Sequence, residues 1–202
     1  MFSEVELIRD VTVDAENIKS DGLVSRPQSF IMTRLLEDLV REKASKDHGY
    51  FLAVTSLKKI GKMKAVEESG DVFFPVVFNC RTFLPYEGEI LQGIVHCIYR
   101  HGVFLRCGPI KYAYLSARKM PGYQYVYGQK MACQKCGHDR KPLFVSNEFA
   151  KIENGVVVCF MVLGVRWFEN WGNVKNEFGV LATLEGDSLG PISLSGSGEL
   201  DL

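Results

Sequence analysis

Rings and cations interleave between Arg100 and Lys119. His101, Phe104, Tyr112 and Tyr114 stand among Arg100, Arg106, Lys111, Arg118 and Lys119. Aromatic faces can stack on the unpaired bases of a single strand, and cations can follow its phosphates. The set expected to contact RNA is Arg100, His101, Phe104, Arg106, Lys111, Tyr112, Tyr114 and Lys119. The competing reading assigns Phe104 and one of the tyrosines to a hydrophobic core.

A second cluster, Cys133-Gln134-Lys135-Cys136-Gly137-His138, has the spacing that can grip zinc. A tetrahedral site needs a fourth ligand, which Cys107 or Cys159 would have to bring from elsewhere in the fold. No second closely spaced cysteine pair follows, so no metal site is assigned and no cofactor is expected. No catalytic set emerges either. His48, His96, His101 and His138 pair with no evident nucleophile, and a phosphate-cradling Gly-x-x-x-x-Gly-Lys-Ser/Thr loop is absent. Gly186-Asp187-Ser188-Leu189-Gly190 formally matches a nucleophile elbow but lacks a strand running into a helix.

The elements that must position these residues fall into two groups. In the first, Phe2 to Val13 alternates as a strand, and Ser29 is expected to cap an amphipathic helix running to about Lys43. Tyr50 to Leu57 and Asp71 to Phe83 read as strands. Lys58 to Gly70 between them, with four lysines and two glycines, reads as an exposed loop or hairpin. This is a small α+β unit. In the second group, Glu87–Tyr99, Val103–Cys107, Ile110–Leu115, Gly155–Phe168 and Phe178–Leu184 are expected strands. Gly102 and Gly108-Pro109 supply turns, and Met120 to Asn154 reads as irregular. Five strands with no convincing helix between them suggest a small closed β-barrel, the strand count of an OB-fold. The expected domains are residues 1–82, 83–192 and a frayed tail, 193–202.

The 202 residues balance 24 basic against 24 acidic side chains, which argues against binding nucleic acid by bulk charge. The balance conceals an asymmetry. Residues 81–141 carry ten basic and three acidic groups, whereas residues 142–202 carry three and eight. A basic block can attract phosphate, or serve only as a solvated face. With 47% hydrophobic and 24% charged residues, the chain has ordinary globular composition. Its first residues lack the pattern of a signal peptide, and no apolar run approaches the ~20 residues that span a bilayer. The expectation is an intracellular protein, with no membrane partner, whose six cysteines are free thiols or in part metal ligands.

Gly93 through Ser116 resembles the OB-fold RNA-binding domain first seen in a small-subunit ribosomal protein. His101, Phe104 and Tyr114 fall where that family often places base-contacting side chains. The wider chain is similar to the seventh, stalk-forming subunit of nuclear RNA polymerases. Four stretches carry the match: His48-Gly49-Tyr50, Phe74-Pro75-Val76-Val77-Phe78, Pro85-Tyr86-Glu87-Gly88-Glu89-Ile90, and Gly186-Asp187-Ser188-Leu189-Gly190-Pro191-Ile192. Asp21-Gly22 is a weak version of the family's tip loop, and the segments after Gly61 and around Cys133 diverge. These departures resemble the specialised paralogues of the plant polymerases IV and V, which serve small-RNA-directed DNA methylation. The resemblance implies a non-catalytic nuclear subunit. Its first domain would dock on the largest polymerase subunit and the core, beside a fourth-subunit-like partner, and its barrel would face single-stranded nascent RNA. A free-standing RNA-binding protein of translation or RNA decay would use the barrel alone, with no need of the first domain.

Overall fold

The computed structural model of the chain describes residues 1–13, 27–65, 72–127, 142–169 and 176–192. The fold is a strand-rich α+β arrangement. It divides into two compact units, Met1–Leu84 with Glu169–Asn176, and Pro85–Phe168 with Glu177–Leu202. Among the described residues, no helix is long and apolar enough to cross a membrane.

The first unit begins with β1 (Phe2–Val13), whose odd positions Leu7 and Val11 are buried while its even positions face water. Helix α1 (Pro27–Glu42) follows. It starts two residues before Ser29, the expected cap, because proline's fixed φ suits the first turn and forfeits no intrahelical hydrogen bond there. Ser29 lies inside the helix, where its carbonyl accepts from the Thr33 hydroxyl at 3.0 Å. The helix stops at Glu42: Lys43 takes a left-handed φ of 67° and its N–H returns to the Leu39 carbonyl at 2.8 Å.

Beyond it, β2 (Ala44–Ser45), β3 (Gly49–Ile60), β4 (Lys64–Ala65) and β5 (Val72–Phe83) complete a five-stranded sheet of order β1-β5-β3-β2, with β4 on β5. Lys58, Lys59 and Ile60 extend β3 rather than open a loop, since they continue its pairing with β5 as far as Val76. Residues 66–71 lie outside the described residues. Ile31, Leu35 and Leu39, spaced four apart on one helix face, pack on Leu7, Val11, Val76, Phe78 and Cys80. A fully buried aliphatic side chain contributes ~1.5–3 kcal/mol, so this stripe is the main force holding helix to sheet.

The second unit contains β6 (Ile90–Tyr99), β7 (Gly102–Cys107), β8 (Ile110–Ser116), β12 (Val157–Phe168) and β13 (Glu177–Thr183). β6, β7 and β8 form an antiparallel meander, β6 and β13 each pair antiparallel with β12, and β13 pairs parallel with β8. The pairings thus run in a closed circuit, β6-β7-β8-β13-β12-β6. Alternate residues point inward: Val103 and Leu105, Ala113 and Leu115, Val158, Phe160 and Val162, Phe178, Val180 and Ala182 are all buried. The first strand begins at Ile90 rather than Glu87, because Glu87-Gly88 turns with Gly88 at φ 85°.

The expected irregular stretch from Met120 to Asn154 instead holds a three-stranded antiparallel sheet. Its strands are β9 (Tyr123–Val126), β10 (Leu143–Ser146) and β11 (Lys151–Ile152), in the order β11-β10-β9. Phe144 and Ile152 are buried there, and the Tyr125 ring meets Phe144 edge-on at 5.4 Å. A short β14 (Gly190–Pro191) pairs with β12.

Gly49 is a backbone requirement of the first unit. It opens β3 at φ 78°, and a Cβ there would strike the Phe83 carbonyl and stand 2.7 Å from the Leu84 Cα. Gly49→Ala should therefore lower stability by at least the ~1–2 kcal/mol of a left-handed non-glycine residue. Urea unfolding of the full chain checks this. An unchanged midpoint contradicts the account.

Candidate nucleic-acid interface

The outward positions of β7 and β8 bring several of the expected residues together. Phe104 on β7 lies opposite Tyr114 on β8, and their rings stand 5.0 Å apart at 44°. The buried neighbours of each, Val103, Leu105, Ala113 and Leu115, face the interior, so both rings lie on the outer face and are half-buried. Phe104 is therefore not a core residue. Tyr112, two positions before Tyr114 on the same face, is 42% exposed.

The turn Arg100-His101 is tied to this face. The Tyr114 hydroxyl donates to the His101 carbonyl at 2.8 Å, and the Ala117 N–H donates to the same oxygen at 2.9 Å. Gly102 makes room for that clamp. A Cβ there would stand 2.8 Å from two carbons of the Tyr114 ring. The His101 and Arg100 side chains are exposed at the turn.

The cations are less uniformly placed. Arg106 shares the outer face with Phe104 and meets His96 Nε2 at 2.9 Å. Lys111 has the parity of Ala113 and Leu115 rather than that of the tyrosines, so it stands off this face although exposed. Lys119 lies in the 3-10 turn Ala117–Lys119, where its ammonium pairs with Glu185 at 2.8 Å.

His96 and Tyr99 on β6 stand on this face but are absent from the expected set. Strict alternation from Ile94 and His96 would turn Tyr99 inward. A bulge between Val95 and Cys97 reverses the parity. Cys97 then pairs with Phe104 and Tyr99 with Gly102, which places Tyr99 on the outer face. Its ring, 55% exposed, meets Phe104 edge-on at 6.0 Å. Rings, a histidine and arginines occur together in the sequence, but no local signal marks the bulge.

The metal and catalytic candidates divide differently. Cys133, Cys136 and His138 lie outside the described residues. Cys107 is buried, and Cys159 is half-buried on β12. Among the described residues, no three metal-ligating side chains gather. Burial, reinforced by the negative charge of Glu89 and partly offset by the Gln92 backbone, pushes the Cys107 thiol up to about 11. Burial likewise raises Cys80, and burial with the Glu148 charge raises Tyr123. Ser188 sits in an exposed turn at φ 62° and leads into β14 rather than a helix, so the elbow's required setting is missing.

No protein-family model matches the chain. It is 45% identical over 207 residues to an Arabidopsis thaliana DNA-directed RNA polymerase subunit 7-like protein, covering 98% of both chains. Subunit 7 of DNA-directed RNA polymerase V from the same plant is 42% identical, over 96% of this chain and 99% of its own length. Subunit 7 of DNA-directed RNA polymerase IV is 39% identical, over 95% and 99%. Identity at this level across nearly the whole of both chains leaves no room for a merely shared module, and the chain belongs to the subunit 7 family of DNA-directed RNA polymerases.

Cys107 gives a direct check of the interior. A raised thiol favours the protonated form in the folded state, so its contribution is intact below pH 9.0, the ordinary value, and fades as pH rises toward about 11. In the native chain at pH 8, Cys107 should resist alkylation, and it should react fully in denaturant. Mass-spectrometric mapping reads the result. Rapid native labelling would mean that the strand pairing around it opens freely.

Proposed function

We propose that the chain is the non-catalytic seventh subunit of a nuclear RNA polymerase of the plant IV or V type, acting in transcription for RNA-directed DNA methylation and gene silencing. The observation that carries this reading is the identity to subunits 7 of polymerases V and IV over nearly the full length of each.

The second unit is proposed to be a five-stranded OB-fold barrel within residues 83–192. Support comes from the closed circuit of five strands, β6-β7-β8-β13-β12, the strand count of that fold. Its outer β7–β8 face would take single-stranded nascent RNA. Phe104, Tyr112 and Tyr114 would stack on bases, His101 would contact the strand at the turn, and Arg100 and Arg106 would follow phosphates. Lys111 would add charge from the margin, whereas the ammonium of Lys119, also in the expected set, is paired with Glu185.

The first unit, residues 1 to about 82, would dock on the largest subunit and the core beside a fourth-subunit-like partner. The sheet face that α1 does not cover supports this. Ile8 lies there opposite Val77, and is 69% exposed.

Two measurements test the reading. Purification of a tagged chain from plant nuclei should recover a largest polymerase subunit and a small partner. Recovery of the chain alone would instead favour a free-standing RNA-binding protein. Anisotropy titration against oligo-U at two salt concentrations should show weak binding. Tyr112→Ala and Tyr114→Ala should each lower affinity by ~1–3 kcal/mol without altering the salt slope, whereas Arg106→Ala should flatten it. Circular dichroism controls for folding, because Tyr114 also clamps the turn. Unchanged affinity in all three folded variants would remove this face as the RNA site.

A further inference from the structure

We infer that β6 supplies two further residues of the RNA site: His96, which positions Arg106, and Tyr99, which extends the row of rings. This rests on the proposed RNA reading of the β7–β8 face. The observation that carries it is the bulge between Val95 and Cys97. A bulged strand sends two neighbouring side chains toward one face where a regular strand sends one. Here His96 keeps the outward side it shares with Ile94, 2.9 Å from Arg106, and the bulge turns Tyr99 outward beside Phe104.

The chemistry of the His96–Arg106 contact has one solution. A guanidinium has donors and no acceptor, so Nε2 of His96 must accept, and the neutral ring carries its proton on Nδ1. Arginine is a long side chain that loses many rotamers when it binds a phosphate. A hydrogen bond that already holds the guanidinium lessens that loss and sets its direction. The contact leaves the charge on Arg106 intact. His96 is therefore a positioning residue that acts through Arg106.

Tyr99 acts by itself. With the Tyr99–Phe104 and Phe104–Tyr114 contacts at 6.0 and 5.0 Å, the rings form a row across β6, β7 and β8. Tyr99 is 55% exposed at its end. An unpaired base can stack on that ring whatever its identity.

The test uses the full chain and a labelled oligo-U strand, with affinity read by anisotropy at two salt concentrations. His96→Ala should weaken binding roughly three- to tenfold. His96→Gln, whose side-chain oxygen can still accept from Arg106, should restore most of that loss. In an Arg106→Ala background, His96→Ala should have no further effect, because the two substitutions remove one shared contribution. Tyr99→Ala should weaken binding severalfold with an unchanged salt slope and add its effect to that of Arg106→Ala. Thermal unfolding verifies that each variant is folded.

Equal effects of His96→Ala with and without Arg106 would overturn the positioning role, as would no effect at all. Unchanged affinity in Tyr99→Ala would remove Tyr99 from the site. If wild type binds and Tyr112→Ala weakens it while the β6 variants do not, the RNA reading stands and this inference alone fails. If wild type does not bind oligo-U, both fall.

Discussion

The parallel pairing of β13 with β8 is the constraint on which the second unit depends. It sets Gly179 opposite Tyr112, Val180 opposite Ala113, Leu181 opposite Tyr114 and Ala182 opposite Leu115. Side chains alternate with a period of two, so a slip of one residue would turn the tyrosines inward and Ala113 and Leu115 into water. The buried row Val180, Ala182, Ala113 and Leu115 opposes that slip through the apolar surface it removes from solvent. The pairing also joins the two ends of the strand circuit, leaving neither β8 nor β13 as a bare edge here. The same register therefore stabilises the interior and holds Tyr112 and Tyr114 outward.

Much of this was legible in the residues. The alternation of Leu7 and Val11, and of Val103 and Leu105, marks strands with one buried side. The four-residue spacing of Ile31, Leu35 and Leu39 marks a helix on a sheet. What escaped has specific causes. The helix begins at Pro27, whose fixed φ suits the first turn, rather than after Ser29. Lys58 to Ile60 are polar or terminal in pattern, yet backbone pairing with β5 keeps them in the strand. Tyr123–Val126 and Leu143–Ser146 are strands too short for a reliable period, and they are far apart in the chain. The bulge in β6 leaves no mark in composition, so Tyr99 would be assigned to the wrong face by parity alone. The resemblance to polymerase seventh subunits rested on short matches spread along the chain, and the near-full-length identities agree with it.

Electrostatics here is local rather than global. The chain has no formal net charge, yet Arg100 and Arg106 stand on or beside a ring-bearing face, and the more acidic segment lies later in sequence. One of its carboxylates, Glu185, neutralises Lys119. An exposed pair of that kind contributes little stability, but it takes one cation out of competition for phosphate. A site built this way would depend on ring stacking with a modest ionic component, which suits passage of many sequences over one surface.

The most direct test is photo-crosslinking of a thiouridine-bearing nascent transcript in the assembled plant polymerase, with the adducts mapped by mass spectrometry. Adducts are expected on peptides spanning His96 to Tyr114. Adducts confined to residues 1–84, with none on those peptides, would contradict the RNA reading.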